Sequence, residues 1–145
     1  MNIELLYQDK FKFDFEKDLF NKYQVRLRKI SGKILGRFSE KKVSGKKMVE
    51  IISKKNANNY VILLDEKGEQ LKTHQLKDLI FNTQSKTITF MIGGTDGFSE
   101  QFLKKGNMVM SLSRMTLTHS FAAIILLEQI YRSVTIKINH PYHRR

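Results

Sequence analysis

The sequence contains no cysteine, which excludes disulfide bonds, thiolate zinc sites and a cysteine nucleophile. It has a single proline and eight glycines, too few for a disordered or low-complexity chain. No apolar run approaches the roughly 18 residues that a membrane-spanning helix requires. Met1-Asn2-Ile3-Glu4 lacks the basic opening of a signal peptide. These absences lead to the expectation of a cytoplasmic protein. Acidic residues are scarce as well: 14 Asp and Glu stand against 26 Lys and Arg, a formal charge of +12. The imbalance is concentrated between Lys22 and Lys55, where Glu40 and Glu50 are the only acids. A nucleic acid or a ribosome suits such a chain; a lysine-rich solvated surface is the competing reading. An anionic membrane suits it poorly, because no segment pairs the charge with a broad apolar face.

What is present is a core. A chain of 145 residues that is 41% hydrophobic fits one compact domain spanning residues 1–145, with no internal repeat and no linker. Asn2 to Tyr7 reads as a first strand. Phe13 to Leu27 then places Phe15, Leu19 and Tyr23 at four-residue steps, with Phe20 and Leu27 nearby, an aromatic helical stripe expected in the core rather than stacked on bases. Ile30 to Phe38 alternates loosely as a strand, and Ser44 to Lys55 reads as a helix with Met48, Val49, Ile51 and Ile52 on one side. Tyr60 to Asp65 is the clearest buried strand. It runs into a polar turn, Asp65-Glu66-Lys67-Gly68, at the end where open α/β sheets place ligands. A helix from about Thr73 to Asn82 carries Leu76, Leu79 and Ile80 inward. The alternation of strands and helices predicts a parallel sheet.

The chain is organised around Thr87 to Arg132. A β-branched strand, Thr87 to Ile92, stops abruptly at Gly93-Gly94-Thr95-Asp96-Gly97. Those glycines permit positive φ and close approach of a ligand to bare backbone, and equally suit a tight strand-to-helix turn. The spacing is neither that of a dinucleotide-binding G-x-G-x-x-G nor that of a G-x-x-x-x-G-K-[ST] phosphate loop. A short helix follows, then a strand from Met108 to Ser113, a polar loop to His119 and an apolar helix from about Ser120 to Ser133. Glu128 and Arg132 lie four apart on that helix, spaced for an ion pair. Two chain turns therefore meet at one end of one sheet, an arrangement that builds a site.

Four segments in this order, Ile92 to Gly97, Leu112 to His119, Glu128 to Arg132 and Pro141 to Arg144, resemble those of the small SPOUT-class RNA methyltransferases that modify a pseudouridine of bacterial large-subunit ribosomal RNA at N3. The resemblance is strong after Val61 and looser before it. It implies an α/β domain of SPOUT type, a parallel sheet with helices on both faces and a carboxy-terminal deep trefoil knot. It also implies S-adenosyl-L-methionine as methyl donor, held by Leu64, Gly93, Leu112, Ser113, Arg114, Met115, Thr116 and Leu117, largely through backbone groups. Two positions depart from the family pattern: Arg114 stands where lysine is frequent, and Thr118 where proline is. The implied partners are ribosomal RNA in the assembled ribosome and a second copy of the chain, packed through the apolar carboxy-terminal helix.

No metal is required for methyl transfer from a sulfonium; donor and acceptor must be aligned and the N3 proton removed. Of the four histidines, His74 and His140 read as solvated, and His119 as a helix-start residue that orients the loop. His143 is the candidate general base, because an end segment can fold over a neighbouring subunit's pocket. Tyr142 would stack on a base, and Arg144 or Arg145 would hold phosphate; a disordered basic tail is the alternative. Two further function classes stay open: a non-enzymatic basic RNA-binding or ribosome-associated protein, and a nucleotide-using enzyme of another α/β family.

Overall fold

A computed structural model describes residues 1–32 and 34–144. Five strands form one parallel sheet: β1 (Asn2–Tyr7), β2 (Phe38–Lys42), β3 (Asn59–Gln70), β4 (Thr87–Ile92) and β5 (Met108–Ser111), in the order β2-β1-β4-β3-β5. Between them run α1 (Asp14–Ser31), α2 (Gly45–Ser53), α3 (Thr73–Asn82), the single turn α4 (Glu100–Leu103) and finally α5 (His119–Lys137). Strand alternation assigns each face its helices. Ile3, Leu5, Tyr7, Ile62, Leu64, Ile88, Phe90 and Ile92 bury against α1, α3 and α5. Leu6, Val61, Leu63 and Met91 point the other way, against Met48 and Ile52 of α2 and Phe102 of α4. The expected α/β sheet with helices on both faces is present. No helix among the described residues is long and apolar enough to cross a membrane.

Two expectations for the amino-terminal half change. The strand predicted over Ile30–Phe38 is instead the end of α1 and a turn, in which the Ile34 and Leu35 amides both donate to the Ser31 carbonyl. Lys33 lies outside the described residues. The strand itself is Phe38–Lys42, polar at every position but Phe38, as suits an edge strand open to solvent on one side. The buried face of α1 is also rotated from the aromatic stripe. Phe20 and Leu27 are fully buried, with Glu16, Gln24 and Ser31 on the same face, whereas Phe15 is 66% and Leu19 41% exposed. Tyr23 is half-buried and packs on Tyr131 of α5.

The feature that shapes the site is β3. Its Leu64 pairs with Met110, yet so does Glu69, so Asp65 to Gly68 bulge out before the strand rejoins β5 at Gln70↔Ser111. The predicted polar turn is thus an excursion within a longer strand. Asp65 closes it by accepting from the Lys67 amide at 2.9 Å. Gly68 is buried at the return, where a Cβ would stand 2.7 Å from the Val109 carbonyl carbon and oxygen. Only a residue without a side chain fits there.

Candidate active site

Strands β4 and β5 flank β3, so the loops that follow them close over its carboxyl end. They enclose, with the β3 excursion, a cavity of about 730 Å³, within the size range of small-molecule sites. Leu64, Gly93, Leu112, Ser113, Met115, Thr116 and Leu117 line it, as do Asp65, Glu66, Lys67, Asp96, Phe98, Thr118 and His119. Seven of the eight positions expected to hold the donor therefore meet around one space.

Arg114, the eighth, does not line it. Its Nη1 donates to the carbonyls of Glu66 at 2.6 Å and Gly68 at 2.9 Å. The side chain turns back onto the β3 excursion, binding two of its carbonyls with one charged group. Beside it the Thr116 hydroxyl donates to Glu66 Oε2 at 2.6 Å. The β5–α5 loop is thus tied to the opposite wall, and it is also braced internally. The Ser111 hydroxyl donates to the Ser113 carbonyl and the Met115 amide to Ser113 Oγ, both at 2.9 Å. Thr118 is the N-cap of α5, its Oγ1 accepting from the Phe121 amide at 3.2 Å. A capping hydroxyl thus takes the place of a proline's rigidity at this position.

The glycine turn is held from β1. Gln8 Oε1 accepts from the Gly94 amide at 3.0 Å, and Asp9 Oδ2 accepts from the amide and hydroxyl of Thr95 at 3.1 and 3.3 Å. Gly97 has φ +67°, the left-handed conformation that favours glycine, and Gly93 packs directly on its backbone. His119 joins the same cluster, with Nε2 3.2 Å from the Lys10 carbonyl and Nδ1 3.8 Å from Asp9 Oδ2. Sequence reasoning missed Gln8, Asp9 and Asp96. The signal available for the first two was their position just beyond a buried parallel strand, where ligand loops gather.

Charge sorts unevenly over the molecule. In a chain of net charge +12, the cavity wall carries Asp65, Glu66 and Asp96 against Lys67, with the Arg114 guanidinium occupied by carbonyls. Such a lining favours a ligand bearing positive charge and opposes a polyphosphate.

The carboxy-terminal segment lies elsewhere, on the far part of α5. Tyr142 donates its hydroxyl to Glu128 Oε1 at 3.0 Å and packs edge-on against Tyr131 and beneath the Arg132 guanidinium, each 4.7 Å from its ring. Arg132 meets Glu128 with two donors, at 2.6 and 3.0 Å, which raises the guanidinium pKa further. Burial, then hydrogen bonds with Tyr23 and Glu128, pushes the Tyr142 phenol well above the ordinary tyrosine range. His143 Nδ1 stands 3.3 Å from Arg132 Nη1. A guanidinium only donates, so Nδ1 accepts and the neutral ring carries its proton on Nε2. His143 also contacts His74 edge-on at 5.5 Å, while Arg144 is exposed. None of Tyr142, His143 and Arg144 lines the cavity of its own chain, and Arg145 lies outside the described residues.

A family model described as "Predicted SPOUT methyltransferase" matches residues 1–143. The ribosomal RNA large subunit methyltransferase H of Dictyoglomus thermophilum is 40% identical, the alignment covering 99% of each chain. The protein of the same name from Clostridium botulinum is 35% identical over 99% of this chain and 100% of its own. That of Campylobacter fetus is 41% identical over 81% and 78%. Among solved structures, a Haemophilus influenzae protein described as a probable methylase family member superposes with a TM-score of 0.59 at 8% identity, covering 99% of this chain and 70% of that one. A Legionella pneumophila structure with bound cofactor SAM gives 0.52 at 12% identity, over 92% and 66%. At such identities these structures speak for the fold alone. With a family model spanning nearly its whole length and relatives above one-third identity from end to end, the chain belongs to the SPOUT methyltransferase family.

Proposed function

We propose that the chain is an S-adenosylmethionine-dependent methyltransferase that transfers a methyl group to N3 of a pseudouridine in large-subunit ribosomal RNA, and that it works as a homodimer on the assembled ribosome. The observation that carries the reading is the acidic cavity formed by the β3 excursion and the loops after β4 and β5 in a strongly basic chain. An enzyme using a nucleotide polyphosphate would need the opposite lining. S-adenosylmethionine supplies an activated methyl on a sulfonium and carries an ammonium group, and both suit Asp65, Glu66 and Asp96. Backbone groups of Leu64, Gly93, Leu112 and Leu117 would read the neutral part of the donor. Arg114 acts one step back, holding the wall that Glu66 belongs to.

The acceptor side comes from the tail of a second copy. Exposed Phe15 and Leu19 on α1 and Phe121 and Ile125 on α5 offer an apolar face on two helices that already pack together. A copy seated there brings its Tyr142, His143 and Arg144 toward the neighbouring cavity. For His143 to accept the N3 proton on a ring nitrogen, its bond from Arg132 must open as the RNA docks, because Nε2 otherwise holds the ring proton.

Calorimetry with S-adenosylmethionine and its demethylated product, alongside methylation of ribosomes that lack the modification, tests the reading. Deleting residues from Tyr142 onward should abolish methyl transfer while leaving donor affinity intact. Normal methylation by the folded truncation rejects a required tail. RNA retention by the parent chain without donor binding makes it a passive RNA-binding protein.

A further inference from the structure

Basic residues are densest between Lys22 and Lys55, and the cavity and tail use none of them. The fold gathers several of these lysines at one corner. Lys41 and Lys42 end the edge strand β2, and Lys46 and Lys47 lie in the first turn of α2, all four exposed. Nearby acids are otherwise engaged. Glu40 accepts the Tyr7 hydroxyl at 2.7 Å, and Glu50 pairs with Lys47 and Lys54 one turn further along. Among the described residues, Lys41, Lys42 and Lys46 have no carboxylate within 4.0 Å. The first turn of α2 contains no acid of its own, and the helix dipole there disfavours cations; of its two lysines only Lys47 reaches a carboxylate, Glu50 one turn on. Lys41, Lys42 and Lys46 thus have no ion pair among the described residues to account for their clustering.

Its position is as informative as its charge. Lys42 stands in register with Tyr7, and Tyr7 with Ile92, the residue that leads into the glycine turn. At a strand spacing of 4.8 Å, this places the Lys42 backbone roughly 10 Å from the cavity's rim, at the same end of the sheet. One side chain links the two regions directly. Gln8 accepts from the Gly94 amide and donates to Met48 Sδ of α2 at 3.7 Å. The corner also lies on the α2 side of the sheet, away from the apolar surface of α1 and α5.

We infer that Lys41, Lys42, Lys46 and Lys47 form a shelf that grips the phosphodiester backbone of the RNA flanking the nucleotide presented to the cavity. The inference rests on the ribosomal RNA reading above and assigns the surface that reading requires. Flexible ammonium groups hold phosphates as point charges without reading base identity. The shelf therefore contributes affinity and register, and leaves base choice to the cavity and tail.

The test compares two triple variants of equal net charge in the full-length chain. Lys41→Gln/Lys42→Gln/Lys46→Gln removes the shelf. Lys22→Gln/Lys29→Gln/Lys86→Gln removes three exposed lysines from α1 and the sheet's amino end. The probes are a large-subunit ribosomal RNA fragment and ribosomes lacking the modification, titrated over a range of salt. The shelf variant should bind RNA at least about tenfold more weakly and lower the salt slope by about 2, three contacts at roughly 0.7 each. Its KM for RNA should rise while kcat at saturating RNA, donor affinity and thermal midpoint match the parent. Equal losses in the two variants would reduce the effect to long-range charge and overturn the shelf. A loss of donor affinity or of thermal midpoint confined to the shelf variant also overturns it, by making these lysines structural. A parent chain that neither binds nor methylates the RNA overturns the ribosomal RNA reading itself, an outcome distinct from equal losses in a parent that does both.

Discussion

Replacing Arg114 by methionine keeps the aliphatic stem and removes the two charged hydrogen bonds that hold the β3 excursion. The contact to the Gly68 carbonyl is partly buried and that to Glu66 is exposed. A hydrogen bond to a charged donor contributes about 1.5–3 kcal/mol where it is sheltered, and well under 1 kcal/mol where water competes. The Thr116–Glu66 bond and the β3–β5 pairing at Glu69 and Gln70 remain to hold the wall in part. A net loss of about 2 kcal/mol is therefore expected, which converts to roughly thirtyfold weaker donor binding if the cavity must reorder its wall. The thermal midpoint should fall by about 4–8 °C for a chain of this size. Calorimetry with S-adenosylmethionine in the absence of RNA reads this effect free of any role of the charge in RNA binding. Arg114→Lys should recover about half of the loss, since an ammonium on a shorter reach satisfies one carbonyl well and not two. Donor affinity within about twofold of the parent in Arg114→Met would refute the clamp, because no 2 kcal/mol cost could then be present.

Gly68→Ala should destabilise the fold by about 1–3 kcal/mol, since its Cβ meets Val109 and Met110 backbone at 2.7–2.8 Å and β5 must move; an unchanged thermal midpoint refutes this. Tyr142→Phe removes the phenol's bond to Glu128 and should cost about 1 kcal/mol near neutral pH. Because the folded phenol's pKa is raised, the contribution is fully present below the ordinary value of 10.0 and is lost as pH rises above it. The stability gap between parent and variant should therefore narrow as pH rises above that value, and a gap that stays constant there contradicts the assignment. Leu19→Lys or Ile125→Lys, both at exposed apolar positions, should shift sedimentation from dimer to monomer while leaving donor affinity unchanged; a monomeric parent at all concentrations rejects the dimer.

The parts of this protein legible in its sequence are those whose cause is local. Thr87 to Ile92 and Thr73 to Asn82 were assignable with their observed limits, because β-branched runs and three-to-four-residue apolar steps encode burial within a few residues. The glycine turn announced itself for the same reason, and the ordered segments from Ile92 onward carried the family. Ile30 to Phe38 misled because a helix end and an edge strand that is polar at every position but Phe38 carry no alternation to read. Whether Phe15 or Phe20 faces the core depends on how α1 rotates against α5, which no spacing along α1 encodes. Tertiary structure alone decided that β3 bulges at Asp65 and returns through Gly68, since that shape comes from pairing with β5 some forty residues away. It also decided that Arg114 turns from the cavity to the carbonyls behind it, and that Gln8 and Asp9 hold a turn 86 positions distant. A side chain's chemistry is written in its residue type, but its partner is chosen by which loops the parallel sheet brings to the same edge.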